Sequence, residues 1–266
     1  MKKNLYYRKV IRRENLFNKF IFAFFLGFAS WPRLLLEVFI RKNFGERYFK
    51  LSSAITVAFI LIGIPFLLHG FHNTIAFMND DGDTETNINA APNFYKAYYG
   101  WFAFVGLFLI VSYIRWQEIR KNPSVFDFAK FSLYAGDISP IFSNLKLGVK
   151  KASTRLIETI LEPLPFLILG VILYFLGQKL GILLIVSSVC YCLGYVAAYD
   201  HGDNFVMDKI DEIICNEELK NAFVDGMDEK QTRGFRFVGN VPEKAEQRTQ
   251  LLPLMTEDDE ESAVAK

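Results

Sequence analysis

The sequence predicts an all-α integral membrane protein with four transmembrane helices arranged as two hairpins. Three observations carry that expectation. Apolar residues make up 52% of the 266 positions, and they gather into long runs instead of alternating or recurring with helical period. The runs come in pairs: Leu51 to Phe71 with Phe94 to Ile114, and then two within Ile157 to Tyr199, joined by the short turn Gly177-Gln178-Lys179-Leu180-Gly181. Lys and Arg crowd the segments on one side of these runs, while the only charges in the loop His72 to Asn93 are Asp80, Asp81, Asp83 and Glu85.

Taken in order, residues 1–50 form a basic N-terminal region, with twelve Lys/Arg against Glu14, Glu37 and Glu46. The apolar run beginning near Phe20 is about ten residues long before Ser30-Trp31-Pro32-Arg33, too short to cross a hydrocarbon core of about 30 Å. Ser30 is placed to cap a new helix with Pro32 in its first turn. Asn15–Ile40 is therefore expected as two interfacial or re-entrant helices, anchored by Trp31 and flanking cations and directed at anionic lipid. The alternative is one tilted span over Phe17–Ile40. No small-residue cleavage pattern follows the first apolar run, so the chain is expected to enter the membrane through its internal spans.

Residues 51–114 make the first hairpin, in which Gly63 and Pro65 predict a kink and Trp101 and neighbouring tyrosines an interfacial belt. Residues 115–156 form a cytoplasmic loop, whose Phe128, Phe131, Pro140 and Phe142 suggest short helices on the membrane face. The second hairpin, 157–199, returns the chain to the cytoplasmic side. Both termini are then cytoplasmic, in the plasma or inner membrane if the host is bacterial. In 200–224, Asp203 is expected to cap a helix whose Val206, Ile210, Ile213 and Ile214 share one face, the candidate surface for a protein partner. Residues 225–266 lack periodicity and end in Glu257-Asp258-Asp259-Glu260-Glu261, which reads as a disordered acidic tail. The basic head and this tail point to different neighbours.

The motifs that carry chemistry are few. Glu158 and Glu162 share a helix face, and Glu158 and Asp200 stand twenty-one residues either side of Lys179. On two antiparallel helices they fall at one depth, so Glu158, Glu162, Asp200, His201 and Asp203 form a candidate ion or proton site at the cytoplasmic boundary. Interfacial acidic residues favouring a helix dipole have the same pattern. His69 and His72 read as interfacial residues, and Asn79-Asp80-Asp81-Gly82-Asp83 lacks the Glu that a calcium loop needs. Cys190, Cys192 and Cys215 give neither a disulfide framework nor metal-ligand spacing. There is no phosphate loop, dinucleotide fingerprint or nucleophile elbow, and the N-terminal cations precede apolar helices as membrane anchors do, not nucleic-acid modules. No catalytic residue, cofactor or nucleic-acid partner is therefore expected, and the sequence leaves the metal question open. The reading is a non-catalytic structural or accessory subunit of a membrane-associated assembly, with a small oligomeric transporter or channel as the alternative.

Overall fold

The computed structural model describes residues 3–12, 16–78, 94–147 and 150–257. It is all-helical, and four helices are long and apolar enough to cross a membrane, within Leu51–Leu68, Lys96–Asp127, Thr154–Phe175 and Leu180–Phe223. The principal helices are α1 (Leu16–Ile40), α2 (Leu51–Met78), α3 (Phe94–Lys121), α4 (Leu164–Phe175), α5 (Leu180–Phe223) and α6 (Ala245–Leu251). The chain divides into two compact units, a membrane unit of 23–198 and a terminal unit of 1–22 with 199–266.

In the membrane unit, α2 and α3 are apolar on nearly all sides, as helices in lipid must be. Their shared seam is tied by Trp101, whose indole N–H donates to the Leu61 carbonyl at 2.8 Å. Phe66 packs on Phe94 with centroids 5.4 Å apart. Val57, Ala58, Val105 and Phe108 fill the seam, and Leu34, Leu35 and Val38 of α1 close over it. Side chains on the opposite faces, such as Leu67 and Ile110, stand exposed as lipid-facing residues would.

Between α4 and α5 the backbone turns at Gly177, whose φ of 77° is the left-handed conformation glycine adopts freely. Gln178 N–H reaches Leu173 O at 2.9 Å and Gly177 N–H reaches Tyr174 O at 3.0 Å, the paired bonds of a Schellman cap.

Three expectations need correction. First, α1 is one continuous helix, not two. Ser30 does not cap a new start; its hydroxyl donates back to Gly27 O at 2.6 Å, and Pro32 is carried inside the helix. Second, α5 does not stop at Tyr199. It runs through Asp200, Gly202, Asp203 and Asn216 to Phe223. One glycine costs a helix only about 1 kcal/mol relative to alanine, too little to break an element that packs along much of its length.

Third, the segment from 225 to 257 is folded within the terminal unit. Tyr6 stacks on Phe237 at 4.7 Å, and its hydroxyl accepts from Val238 N–H at 2.6 Å. Tyr7, Cys215, Leu219 and Phe223 are buried with Phe235, Leu252 and Met255 around them. Lys3–Asn4 pairs antiparallel with Thr256–Glu257, and Asn4 donates to Asn216 Oδ1 at 2.8 Å. Arg12 lies 3.3 Å from Asp208 on the extension of α5. The low periodicity that suggested disorder reflects a segment held by scattered aromatic contacts in place of a helix face. The last acidic residues, 258–266, and the loop 79–93 with its Asn79–Asp83 motif lie outside the described residues, as do the side chains of His69 and His72.

Candidate functional site: a buried arginine–glutamate–tyrosine network

Three helices each contribute side chains four residues apart to one buried cluster in the membrane unit. Arg33 and Glu37 come from α1, with Arg41 just past its last turn. Glu158 and Glu162 come from the segment before α4, and Tyr191 and Tyr195 from α5. Spacing of four places successive members on one helix face, so each helix offers a stripe and not a single group.

The segment before α4 has a local reason for its shape. Pro163 and Pro165 cannot donate to the preceding turn, and their rings crowd its carbonyls. The chain answers with a widened turn, in which Glu162 N–H bonds to Ile157 O at 3.0 Å, one residue farther back than in an α-helix. The carbonyl of Pro163 is then taken up by Ser188 of α5 at 2.7 Å, and Thr159 donates to Arg155 O at 2.7 Å. This turn aims Glu162 into the protein.

There Arg41 holds it. The Arg41 Nε lies 3.2 and 3.1 Å from the two Glu162 oxygens, and its Nη2 bonds Glu162 as well as Glu158 at 3.1 Å. Tyr191 donates its hydroxyl to the same Glu162 carboxylate. Arg41, Glu162 and Tyr191 are all fully buried. A second knot forms around Glu37, which accepts from Tyr48 at 2.6 Å and Tyr195 at 2.9 Å. Arg33 Nε sits 3.2 Å from Glu37, and its Nη2 donates to Tyr48 Oη at 2.9 Å. The Tyr195 ring joins the knots, with the Arg33 and Arg41 guanidinium carbons 4.8 and 5.0 Å from its centroid. Arg115 closes the edge by donating to Val38 O at 3.1 Å and to Glu118 at 2.7 Å.

The electrostatic consequence is mutual dependence. A buried charge is tolerated only when paired and hydrogen-bonded, and these groups supply one another. Outside the helices, burial and then the Glu37 charge raise the Tyr48 hydroxyl above its ordinary range, so Tyr48 acts as a donor. Beside the network, burial alone would raise the Asp137 carboxyl. Hydrogen bonds from Tyr134 and Asn43, with Lys130 nearby, hold it below the ordinary value, and the same bond pushes Tyr134 up to about 12.

No family model, curated protein or solved structure matches this chain. The geometry is therefore the functional evidence.

Of the residues the sequence marked, Glu158 and Glu162 lie in the network. Asp200, His201 and Asp203 belong to the terminal unit, where Asp200 accepts from Asn204 at 2.9 Å. Among the described residues no three His, Cys, Asp or Glu side chains gather as a metal site. On the expected partner face, Val206 and Ile210 are half exposed, while Ile213 and Ile214 are partly covered. Sequence reasoning missed Arg33, Glu37, Arg41, Tyr191 and Tyr195. The signal was available: opposite charges at i, i+4 and i+8 of an apolar helix, and two tyrosines four apart inside a run of small and aliphatic residues.

Proposed function

We propose that the chain is a multi-pass, non-catalytic component of a membrane-associated protein assembly. In this reading the four apolar helices form two hairpins with both termini cytoplasmic, in the plasma or inner membrane of a bacterial host. The cation bias of the connecting segments supports that orientation. The observation that carries the reading is the terminal unit. Residues 3–12 and 225–257 fold there on the extension of α5, and Phe205, Val206, Met207 and Ile210 are left exposed along one stretch of it. A membrane-held lobe with an uncovered apolar stretch is what a subunit presents to a neighbour. The membrane unit's buried charges are occupied with one another, which suits a locked scaffold.

The test is recovery from native membranes in mild detergent. Wild-type protein is expected to bring down a stoichiometric partner, and Val206→Asp with Ile210→Asp is expected to lose it while still inserting and folding. Recovery of the wild type as a lone monomer would overturn the reading.

One feature favours an oligomeric transporter or channel as the second reading: Glu37 and Glu162 are buried carboxylates that accept hydrogen bonds from Tyr195 and Tyr191, four residues apart on one helix. Reconstituted vesicles with no proton or cation flux, or with flux unchanged by Glu162→Gln, would sink it.

A further inference from the structure

Between α3 and α4 the chain does something that a slack connecting loop would not. It displays large apolar side chains outward from a backbone that is tightly tied down. Phe128 is 99% exposed, Phe126 90%, Ile141 75% and Phe131 69%. Ordinary burial would take such side chains inward, and scattered single exposures need no explanation. These four belong to one short stretch.

The backbone beneath them is fixed by the segment that follows α1. Gly45 N–H donates to Tyr134 O at 2.9 Å, Arg47 N–H to Ser132 O at 2.9 Å, and Asp137 N–H to Lys42 O at 2.8 Å. Val125 N–H reaches the Glu46 carboxylate at 3.3 Å, and Lys130 donates to Asn43 O. The approach is close enough that a Cβ on Gly45 would lie 2.4 Å from Ser132 O. Phe128 itself adopts φ of 53°, a left-handed conformation that a bulky residue rarely accepts, fixed by its N–H bonding to Val125 O at 3.0 Å. Strain of this kind persists where the surroundings over-determine it, and it accompanies binding surfaces.

We infer that this stretch is a preformed platform that inserts its aromatic side chains into the headgroup layer of an anionic membrane leaflet. Two facts select lipid over a protein partner. The platform connects two of the helices long and apolar enough to cross a bilayer, so chain continuity keeps it near the bilayer boundary. Between residues 120 and 155, seven Lys/Arg accompany only Asp127 and Asp137, which matches an anionic surface in charge as well as in polarity. The N-terminal head, expected from sequence to grip the leaflet, keeps Arg8 and Lys9 exposed, and the platform adds a second surface that is both basic and apolar.

The inference rests on the integral-membrane reading, and one experiment separates the two. Full-length protein is reconstituted in nanodiscs of phosphatidylcholine, with or without phosphatidylglycerol, doped with a phosphatidylcholine that carries a diazirine high on its acyl chain. Adducts are mapped by peptide mass spectrometry. The fragment spanning 124–145 is expected to carry lipid adducts severalfold above the phosphatidylcholine-only level when phosphatidylglycerol is present. Phe126→Ser, Phe128→Ser and Phe131→Ser together are expected to abolish them without changing adducts on α2. Labelling of α2 with none on 124–145 overturns the platform alone, and absence of label on α2 overturns the membrane reading beneath it. In native membranes, protein crosslinks in place of lipid adducts at Phe128 would show a protein docking face and overturn the lipid assignment.

Discussion

Replacing Arg41 with methionine is expected to be among the most damaging single changes in the membrane unit. Methionine matches the length of the aliphatic stem, so the loss is electrostatic more than volumetric. Glu162, fully buried, would keep only the Tyr191 hydroxyl, and Glu158 would lose its bond to Nη2. Removing one partner of a buried pair costs about 3–5 kcal/mol, because the remaining charge is stranded. Adding Glu162→Gln should recover most of that loss. The amide side chain retains an acceptor for Tyr191 and carries no charge to strand. Glu158→Gln alone should cost less, since that side chain is 14% exposed and can draw on solvent. Unfolding by denaturing detergent, followed by far-UV circular dichroism on the single and double variants, checks the ordering. A single variant as stable as wild type, or a double variant as unstable as the sum of its parts, would refute the coupling.

The same network shows where sequence reading stops. The spans were legible because a long apolar run without charge has few other fates. Arg41 and Glu162 lie 121 positions apart, and no local pattern links them. Arg41 looked like one cation among the flanking positives, and Glu162 was grouped by depth with Asp200, His201 and Asp203, not with the arginine that holds it. Ser30 and Pro32 misled for a related reason. Both are good helix-start residues, but Leu34, Leu35, Leu36 and Val38 bury on the far side of them, and tertiary packing outweighs the local preference to break. In the tail, Phe235 and Phe237 were too sparse to show a period, yet two aromatic side chains on Tyr6 and Phe223 suffice to hold an irregular segment.

Gly181→Leu is expected to rival the loss at Arg41, and by a different route. In lipid there is little hydrophobic force pressing two helices together, so α4 and α5 depend on close backbone contact and dispersion. A Cβ at Gly181 would lie 2.4 Å from Tyr174 N and 2.6 Å from Gly170 O. Those are backbone atoms and cannot rotate away, so the helices must separate. Overpacking of this kind costs about 1–3 kcal/mol, and separation also pulls on the Ser188 hydroxyl that serves Pro163 O and on the Tyr191 bond to Glu162, both of which tie α5 to the segment leading into α4. Gly63→Leu is the matched control, since nothing stands within 4 Å of a Cβ there, and it should be near neutral. Gly177→Ala isolates conformation from contact: its surroundings are open, but φ of 77° disfavours a side chain, for about 1 kcal/mol. Limited proteolysis and detergent unfolding should therefore rank Gly63→Leu, Gly177→Ala and Gly181→Leu in rising order of damage. If Gly181→Leu falls beside Gly63→Leu, the close approach of α4 and α5 does not hold the second helix pair together.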